Sequence, residues 1–297
     1  TADPYCWSRS IHNACKANLR PCHKIMIPMS RRLHPRFWAS LLPLWALLGL
    51  IVGLQACAPL TAPREKIPSP QADRVWKRFQ QDFASREDVS FWIKASLNYS
   101  GPEDSRRSIL ELWGNTGLPL RLDLKAGLGV TVSLWRIDTY GLLAYYPDQE
   151  TAYTHPDSGI ALKRLGFPSP FSLQELAYVL TGQTAACLPP SFEQANPQSN
   201  EHIEYRFTGS SRVQSVVLDQ RGQVISMAGS HPFSWTIKLS DYQKVNPILV
   251  ARTYRLQTPQ HKAVVRTKDI RFRSQPWPEK ALTLPLPDET TLRPIGE

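Results

Sequence analysis

Four histidines and one cysteine in the second half of the chain are the side chains best suited to acid–base, nucleophilic or metal chemistry. His155, His202, His231 and His261 lie far apart in the sequence, without the spacing of a metal-binding or catalytic pair. Cys187 has no histidine near it in the sequence that could act as its base. The chain also lacks the motifs of nucleotide-binding proteins, serine hydrolases and metalloproteases. The sequence therefore predicts no catalytic residues, no metal site and no cofactor, in a protein that is not an enzyme.

Three cysteines and a histidine near the start of the chain form a second group with metal-ligating atoms. Cys6, Cys15, Cys22 and His23 contain no C-x-x-C pair, so their spacing does not favour zinc binding. The stretch that holds them, residues 1–28, shows no periodic apolar pattern and precedes a methionine that opens the next segment. We interpret it as a non-native extension upstream of the true start and leave it out of the predicted fold.

Residues 29–56 have the charge and hydropathy pattern of a secretory signal. Three arginines precede an uncharged apolar run, 37–54, and the segment ends in Leu-Gln-Ala before Cys57. This ending resembles the lipobox of bacterial lipoproteins, which implies cleavage before Cys57 and lipidation of that cysteine. An uncleaved transmembrane helix is the alternative. Because Ala58 rather than aspartate follows, the resemblance implies anchoring to the periplasmic face of the bacterial outer membrane, with residues 57–70 as a proline-rich tether.

The distribution of charge argues against nucleic acid as a partner. The chain has 35 basic and 25 acidic residues, but seven basic residues and one acidic residue precede Cys57, so 28 and 24 remain, a net charge of +4. Five basic residues cluster near the end of the chain. We interpret them as a solvated strand face, with contact to anionic lipid head groups as the alternative. These residues are Lys262, Arg266, Lys268, Arg271 and Arg273.

Apolar and polar residues alternate in about ten or eleven short segments after residue 88, which predicts antiparallel strands. Two segments have helical spacing instead. Residues 71–83 place their aromatic side chains on one stripe, and residues 172–182 begin with Ser172 and Glu175, spaced for a capping box. Two helices cannot cover both faces of so large a sheet. We therefore predict a mainly β, α+β fold in which the sheet curls on itself and the helices plug its opening.

A proline-rich entry leads into the second predicted helix. Residues 165–182 read Leu-Gly-Phe-Pro-Ser-Pro-Phe-Ser-Leu-Gln-Glu-Leu-Ala-Tyr-Val-Leu-Thr-Gly. With the leader and the strand segments 217–224 and 237–242, this entry resembles the LolA/LolB family of lipoprotein-handling proteins, more specifically its outer-membrane LolB branch. The likeness extends over residues 72–287. It implies a monomeric, incomplete β-barrel with a helical lid over an apolar cavity, which accepts lipoprotein acyl chains from a LolA-like periplasmic carrier and helps to insert them in the outer membrane.

The resemblance also implies roles for individual residues. Leu128, in the turn Gly-Leu-Gly-Val, is the candidate for insertion into the membrane, with an ordinary hairpin turn as the alternative. Bulky apolar side chains of the strands and helices are expected to line the cavity or its lid. The candidates are Trp76, Phe79, Phe91, Ile93, Leu122, Leu124, Leu134, Leu173, Leu176, Leu180, Trp235 and Ile237.

Two functions remain open at this point. The first is an outer-membrane receptor or carrier that binds acyl chains of lipoproteins or lipids. The second is a structural or assembly lipoprotein of the envelope, whose barrel is filled by its own side chains and which acts through protein contacts. The volume of the cavity distinguishes them, because the interior is open to a ligand in the first and filled by side chains in the second. In both, residues 71–275 form the barrel domain and residues 276–297 a proline-rich tail that the fold does not require.

Overall fold

The computed structural model describes residues 69–296 except 85, 87, 88, 103, 128, 168, 199, 200 and 210. The predicted leader, Cys57 and most of the tether lie outside these residues. The helices are α1 (Pro70–Asp82), α2 (Ser158–Arg164), α3 (Leu173–Leu180) and α4 (Glu279–Leu282). The first strands are β1 (Ser90–Ser100), β2 (Ser105–Asn115), β3 (Leu120–Ala126), β4 (Thr131–Asp138), β5 (Gly141–Tyr146), β6 (Thr151–His155), β7 (Gln194–Pro197) and β8 (Ile203–Arg206). The others are β9 (Ser215–Leu218), β10 (Val224–Gly229), β11 (Trp235–Ser240), β12 (Gln243–Val245), β13 (Ile248–Val250), β14 (Thr253–Gln257), β15 (Lys262–Arg273) and β16 (Thr291–Pro294).

Across the described ranges, fourteen strands pair into one sheet that does not close. Their order is β16-β6-β5-β4-β3-β2-β1-β15-β14-β11-β10-β9-β8-β7, and β12 and β13 form a separate hairpin. Neighbouring strands run antiparallel, except that β16 lies parallel to β6. The prediction of a mainly β fold with an unclosed, curled sheet and a few helices is confirmed.

The described residues form more strands than the ten or eleven expected. All eleven predicted strands are present, and the additional ones are β6, β7, β12, β13 and β16, which are three to five residues long. Alternation over so few residues does not stand out from irregular sequence. The seven-residue α2 was missed for the same reason, since it makes barely two helical turns.

Both predicted helices begin with the caps that the sequence offers. In α1 the side chain of Ser69 accepts a hydrogen bond from the Gln71 amide, and Pro70 occupies the first turn. In α3 the predicted capping box is formed, because Ser172 and Glu175 each accept a hydrogen bond from the other's backbone amide. Gly182 follows the end of α3 with a φ of +78°, which a residue with a Cβ adopts at a cost.

The prediction that Leu134 lines the interior is wrong. In the pairing of β3 with β4, Trp135 lies opposite Leu122 and Leu134 lies opposite Asp123. Since opposite residues share a face of the sheet, Trp135 enters the interior and Leu134 packs outside it against Tyr145. A register irregularity at the start of β4 shifts the alternation by one residue, so that the apolar phase read from the sequence does not continue along the strand.

The proline-rich tail runs across the outer face of the sheet. The Trp277 indole donates a hydrogen bond to the Phe91 carbonyl at 3.0 Å, and Arg121 donates to the Thr283 carbonyl. Leu284 joins a small apolar cluster on this face, and β16 then extends the sheet. The predicted barrel domain ends at residue 275 and does not include this tail. Its packing is decided by contacts with strands more than a hundred residues away.

Residues 66–297 form a compact unit whose two apolar clusters and sheet pairings all lie within it. A segment that buries its own core has what it needs to fold alone. No helix in the described part of the chain has the length and apolar character required to cross a bilayer.

The docking of the tail predicts a difference between two of its leucines. Leu282 is fully buried, whereas Leu292 is 60% exposed. Leu282→Ala is expected to lower the free energy of unfolding of residues 66–297 by about 2–4 kcal/mol, because it leaves a cavity. Leu292→Ala is the matched control and should change it by less than about 0.5 kcal/mol. Urea denaturation followed by circular dichroism measures both, and equal effects would show that the tail does not pack on the sheet.

Candidate functional site

The structure brings eleven of the twelve predicted cavity and lid residues into one apolar core on the inner face of the sheet. Leu134 is the exception described above. Ten of the eleven are buried, and Leu176 is half-buried against the same core. Strands β1, β2, β3 and β4 supply one wall, and β8 to β11 supply the other. The buried ten are Trp76, Phe79, Phe91, Ile93, Leu122, Leu124, Leu173, Leu180, Trp235 and Ile237.

Aromatic side chains occupy the half of this interior beneath α1. The Trp76 ring lies 5.1 Å from that of Tyr205 and 5.4 Å from that of Phe192, centroid to centroid, in the range of favourable ring contacts. The Tyr205 hydroxyl donates to the Ala72 carbonyl at 2.8 Å, which ties α1 to β8. Burial, followed by the nearby Asp73 carboxylate, raises the pKa of Tyr205.

Several interior residues were missed from the sequence. Trp135 was missed because of the phase shift in β4. Tyr205 and Phe192 lie in segments too short or too irregular for alternation to assign a face. Phe171, whose ring is 5.3 Å from that of Trp235, belongs to the loop before α3. Its sequence signal is its position immediately before the capping box, where an apolar residue commonly packs back on the helix.

The lid helix α3 covers the other half of the interior. Leu173, Ala177, Val179 and Leu180 are its buried side chains. Outside the core, α3 is held by side-chain contacts rather than by a strand ladder. The Gln174 amide donates to the Thr116 carbonyl at 2.9 Å, and Arg212 forms an ion pair and hydrogen bond with the Glu175 carboxylate.

The hairpin of β12 and β13 closes over the C-terminal end of α3. A Cβ at Gly182 would lie 2.4 Å from the Leu249 carbonyl oxygen, so the chain passes too close for a side chain here. The Tyr242 hydroxyl, on the segment leading into this hairpin, donates to the Val224 carbonyl at 2.8 Å. The hairpin is therefore tied to β10 and helps to position the lid.

Side chains fill the interior in this conformation, and two surface pockets lie outside it. One, of about 360 Å³, is bounded by the start of α1 and by Pro197, Ile203 and Gln220. The other, of about 520 Å³, lies between the turn at Tyr140 and Leu292 in the tail. An acyl chain would therefore enter the core only after α3 or its flanking loop moves.

The histidines and acidic residues of the described ranges do not assemble into a metal site, and two other candidates lie outside those ranges. Within the described ranges, no three histidine, cysteine or acidic side chains are grouped as a metal ion requires. Leu128 and Cys57 lie outside the described residues. Val130, close to Leu128 in the same turn, is 65% exposed. Of the four histidines, His261 shares a hydrogen bond with Tyr99, whose hydroxyl lies 2.8 Å from the His261 Nδ1, and the two rings stack.

The sheet and its helices match a solved structure across nearly all of that structure's length. The crystal structure of a LolA superfamily protein from Nitrosomonas europaea superposes with a TM-score of 0.51 at 10% sequence identity, covering 72% of this chain and 97% of that one. The fold is similar to that of a LolA superfamily protein. At this identity the likeness concerns the LolA-type fold alone, and no residue role passes with it.

Two other solved structures give weaker matches. An outer membrane lipoprotein-sorting protein domain, so described, from Vibrio parahaemolyticus has a TM-score of 0.46 at 11% identity, over 70% of this chain and 94% of its own. A DUF1329 family protein from Desulfovibrio piger has a TM-score of 0.48 at 10% identity, over 71% and 97%. No protein-family model and no curated protein matches this sequence.

The environment of Cys187 predicts an unreactive thiol. Its Sγ lies 3.5 Å from the Glu175 carbonyl of α3, and burial, with the Glu175 carboxylate adding to it, raises the pKa to about 12. Near pH 8.5, where half of free cysteine is thiolate, iodoacetamide should alkylate Cys187 on the order of a thousandfold more slowly than free cysteine. Mass spectrometry of residues 66–297, whose single cysteine is Cys187, measures the rate. The urea-unfolded protein is the control, and equal rates would contradict the burial.

Proposed function

We propose that this protein is an outer-membrane lipoprotein that binds the acyl chains of lipoproteins or lipids in its interior and helps to insert them in that membrane. The observation that carries the proposal is a large apolar interior closed by a short helix. In this proposal the protein is a monomeric binding protein rather than an enzyme. A periplasmic carrier of the LolA type would be its donor, and the hydrophobic effect would hold the acyl chain.

The attachment of α3 supports its role as a movable lid. Among the described residues, the polar side-chain contacts of α3 are a few hydrogen bonds and one ion pair, in which the Arg212 side chain is 42% exposed. Exposed pairs of this kind contribute about 0–1 kcal/mol. The main force that keeps α3 closed is therefore the burial of its apolar side chains, which an acyl chain can replace with contacts of the same kind.

The energies of the two apolar burials are comparable. Removing Leu173, Val179 and Leu180 from the core costs about 1.5–3 kcal/mol each, or roughly 5–9 kcal/mol together. Each buried CH₂ of an acyl chain contributes about 0.8 kcal/mol, so a chain of roughly fifteen such groups contributes about 12 kcal/mol. One palmitoyl-sized chain can therefore offset the displacement of α3.

The filled interior also favours a second candidate function. If α3 does not open, the protein is a structural or assembly lipoprotein of the envelope, acting through contacts with other proteins. The specific observation behind this candidate is that side chains, many of them fully buried, occupy the interior in the closed conformation. The two candidates differ in one measurable property, which is saturable binding of an acyl chain.

Titration of residues 66–297 with a fluorescent palmitate analogue tests the first candidate. Saturable one-to-one binding is expected, and binding should accelerate the alkylation of Cys187, which touches α3. Leu176→Glu places a carboxylate against the apolar interior and should weaken binding at least about tenfold. Ile160→Glu, at an exposed apolar position of α2, is the matched control and should bind as the unchanged protein does.

Either of two results would count against acyl binding. One is unchanged affinity of Leu176→Glu when its circular dichroism shows the native β content. The other is the absence of binding by the unchanged, folded protein, with Cys187 alkylation equally slow with and without palmitate. The second result would favour the filled barrel, and partner proteins would then be sought by cross-linking in the envelope.

The proposed anchor is tested on the full chain. Expression in a Gram-negative host with radiolabelled palmitate should label the protein and place it in the outer-membrane fraction, because several acyl chains anchor a protein firmly. Cys57→Ser should abolish the label. Cys187→Ser, the matched control, should retain it. Labelling that survives Cys57→Ser would exclude lipidation at this cysteine.

A further inference from the structure

Five exposed cations from four strands lie together on the outer face of the sheet. We call them the basic band. In the registers of the sheet, Lys238 of β11 lies opposite Arg255 of β14, and Arg255 lies opposite Val264 of β15. Val264 in turn lies opposite Asn98 of β1, and Asn98 lies opposite Arg107 of β2. The members of the basic band are Arg107, Lys238, Arg255, Lys262 and Arg266.

The basic band has no acidic partner within the described residues. Two carboxylates of the neighbouring outer surface are already engaged: Glu111 pairs with Lys94 at 3.0 Å and with Lys125 at 2.8 Å, and Asp269 pairs with Arg271 at 2.6 Å. No ion pair among the described residues includes a member of the band. Like charges held side by side on a rigid sheet repel one another, so an anionic partner gains their full attraction.

Tryptophans lie on the same outer face, farther along the strands. Trp92 of β1 lies beside Trp113 of β2, and the Arg271 guanidinium sits 5.0 Å from the centre of the Trp92 ring. In the tail, Arg273 lies 4.1 Å from the centre of the Trp277 ring. Tryptophan combined with arginine and lysine is the composition that proteins present to the head-group region of a bilayer.

We propose that this outer face docks on the surface of an anionic phospholipid bilayer. The band spans five adjacent strands, a width of about 19 Å at about 4.8 Å per strand, and both pockets described above lie elsewhere. A broad, basic surface flanked by tryptophans fits a two-dimensional array of phosphates better than it fits one acidic protein segment, which needs a groove or an apolar anchor.

This docking fixes the orientation of the protein on the membrane. Helices α1 and α3 cover the inner face of the sheet, opposite the basic band. With the band on the bilayer, the lid helix α3 faces away from the surface and stays free to move. The inference concerns membrane contact by the folded domain and holds whether or not the interior binds acyl chains.

Co-sedimentation of residues 66–297, which lack the predicted anchor, with phospholipid vesicles tests the proposal. Vesicles of equal parts phosphatidylglycerol and phosphatidylcholine should bind the protein, and pure phosphatidylcholine vesicles should not. The double variant Lys238→Glu with Arg255→Glu should weaken binding by at least about 25-fold, since each Lys or Arg near an anionic surface contributes roughly a fivefold factor. Salt at about 1 M should abolish binding, because it shortens the screening distance to about 3 Å.

Lys77→Glu with Lys244→Glu is the matched control. Both lysines are exposed, and the two substitutions change the charge by the same amount as those in the basic band. Because both lysines lie on elements that cover the inner face, they do not contact the bilayer in this docking, and vesicle binding should change by less than about twofold. A loss as large as that of the basic-band variant would overturn the proposal, because net charge alone would then explain it. Equal binding to both vesicle types would overturn it too. The milder double variant Lys238→Gln with Arg255→Gln, with its native circular dichroism verified, separates loss of charge from misfolding. Unchanged vesicle binding by this variant would also overturn the proposal.

Discussion

The pairing of β1 with β15 is the contact on which the rest of the structure depends. It joins the first long strand to the last across eleven residue pairs, from Ser90 with Arg273 to Ser100 with Lys262. Without it, the sheet would divide in two, with β1 to β6 and β16 in one part and β7 to β11, β14 and β15 in the other, each with an uncovered apolar face. With it, the two inner faces enclose one interior. The irregularity between Lys94 and Ala95 lies in this pairing, and such a bulge increases the local twist that a curling sheet needs.

The interior serves as hydrophobic core and as candidate binding site at once. The side chains that stabilise the fold, among them Phe91, Trp135 and Leu173, are those that an acyl chain would contact. Binding is then a competition between the protein's own apolar groups and those of the ligand, and the free energy of closing α3 is subtracted from the affinity. Apolar contacts supply most of that free energy, and the few exposed polar contacts add little to it.

The two faces of the sheet contact different parts of the structure, and the proline-rich tail packs on the outer face. The inner face carries helices α1 and α3 over the apolar interior. The outer face carries the basic band, the tryptophans and the proline-rich tail, whose Trp277 and Leu284 cover part of the sheet. Because the side chains of a strand alternate between faces, a single strand such as β1 contributes Phe91 and Ile93 to the inner face and Trp92 to the outer face.

Local patterns in the sequence predicted eleven of the strands, the two main helices and the capping box of Ser172 and Glu175, since alternation and caps involve residues close along the chain. Of the twelve residues predicted to line the cavity or its lid, eleven lie in or against the apolar core. The tertiary structure decided what depends on pairing between distant segments. It chose Trp135 over Leu134 for the interior through the register of β3 with β4. It also formed the short strands, docked the tail, and brought Lys238, Arg255 and Arg107 beside Arg266 and Lys262. Register and strand order arise from the whole sheet, so no window of the sequence contains them.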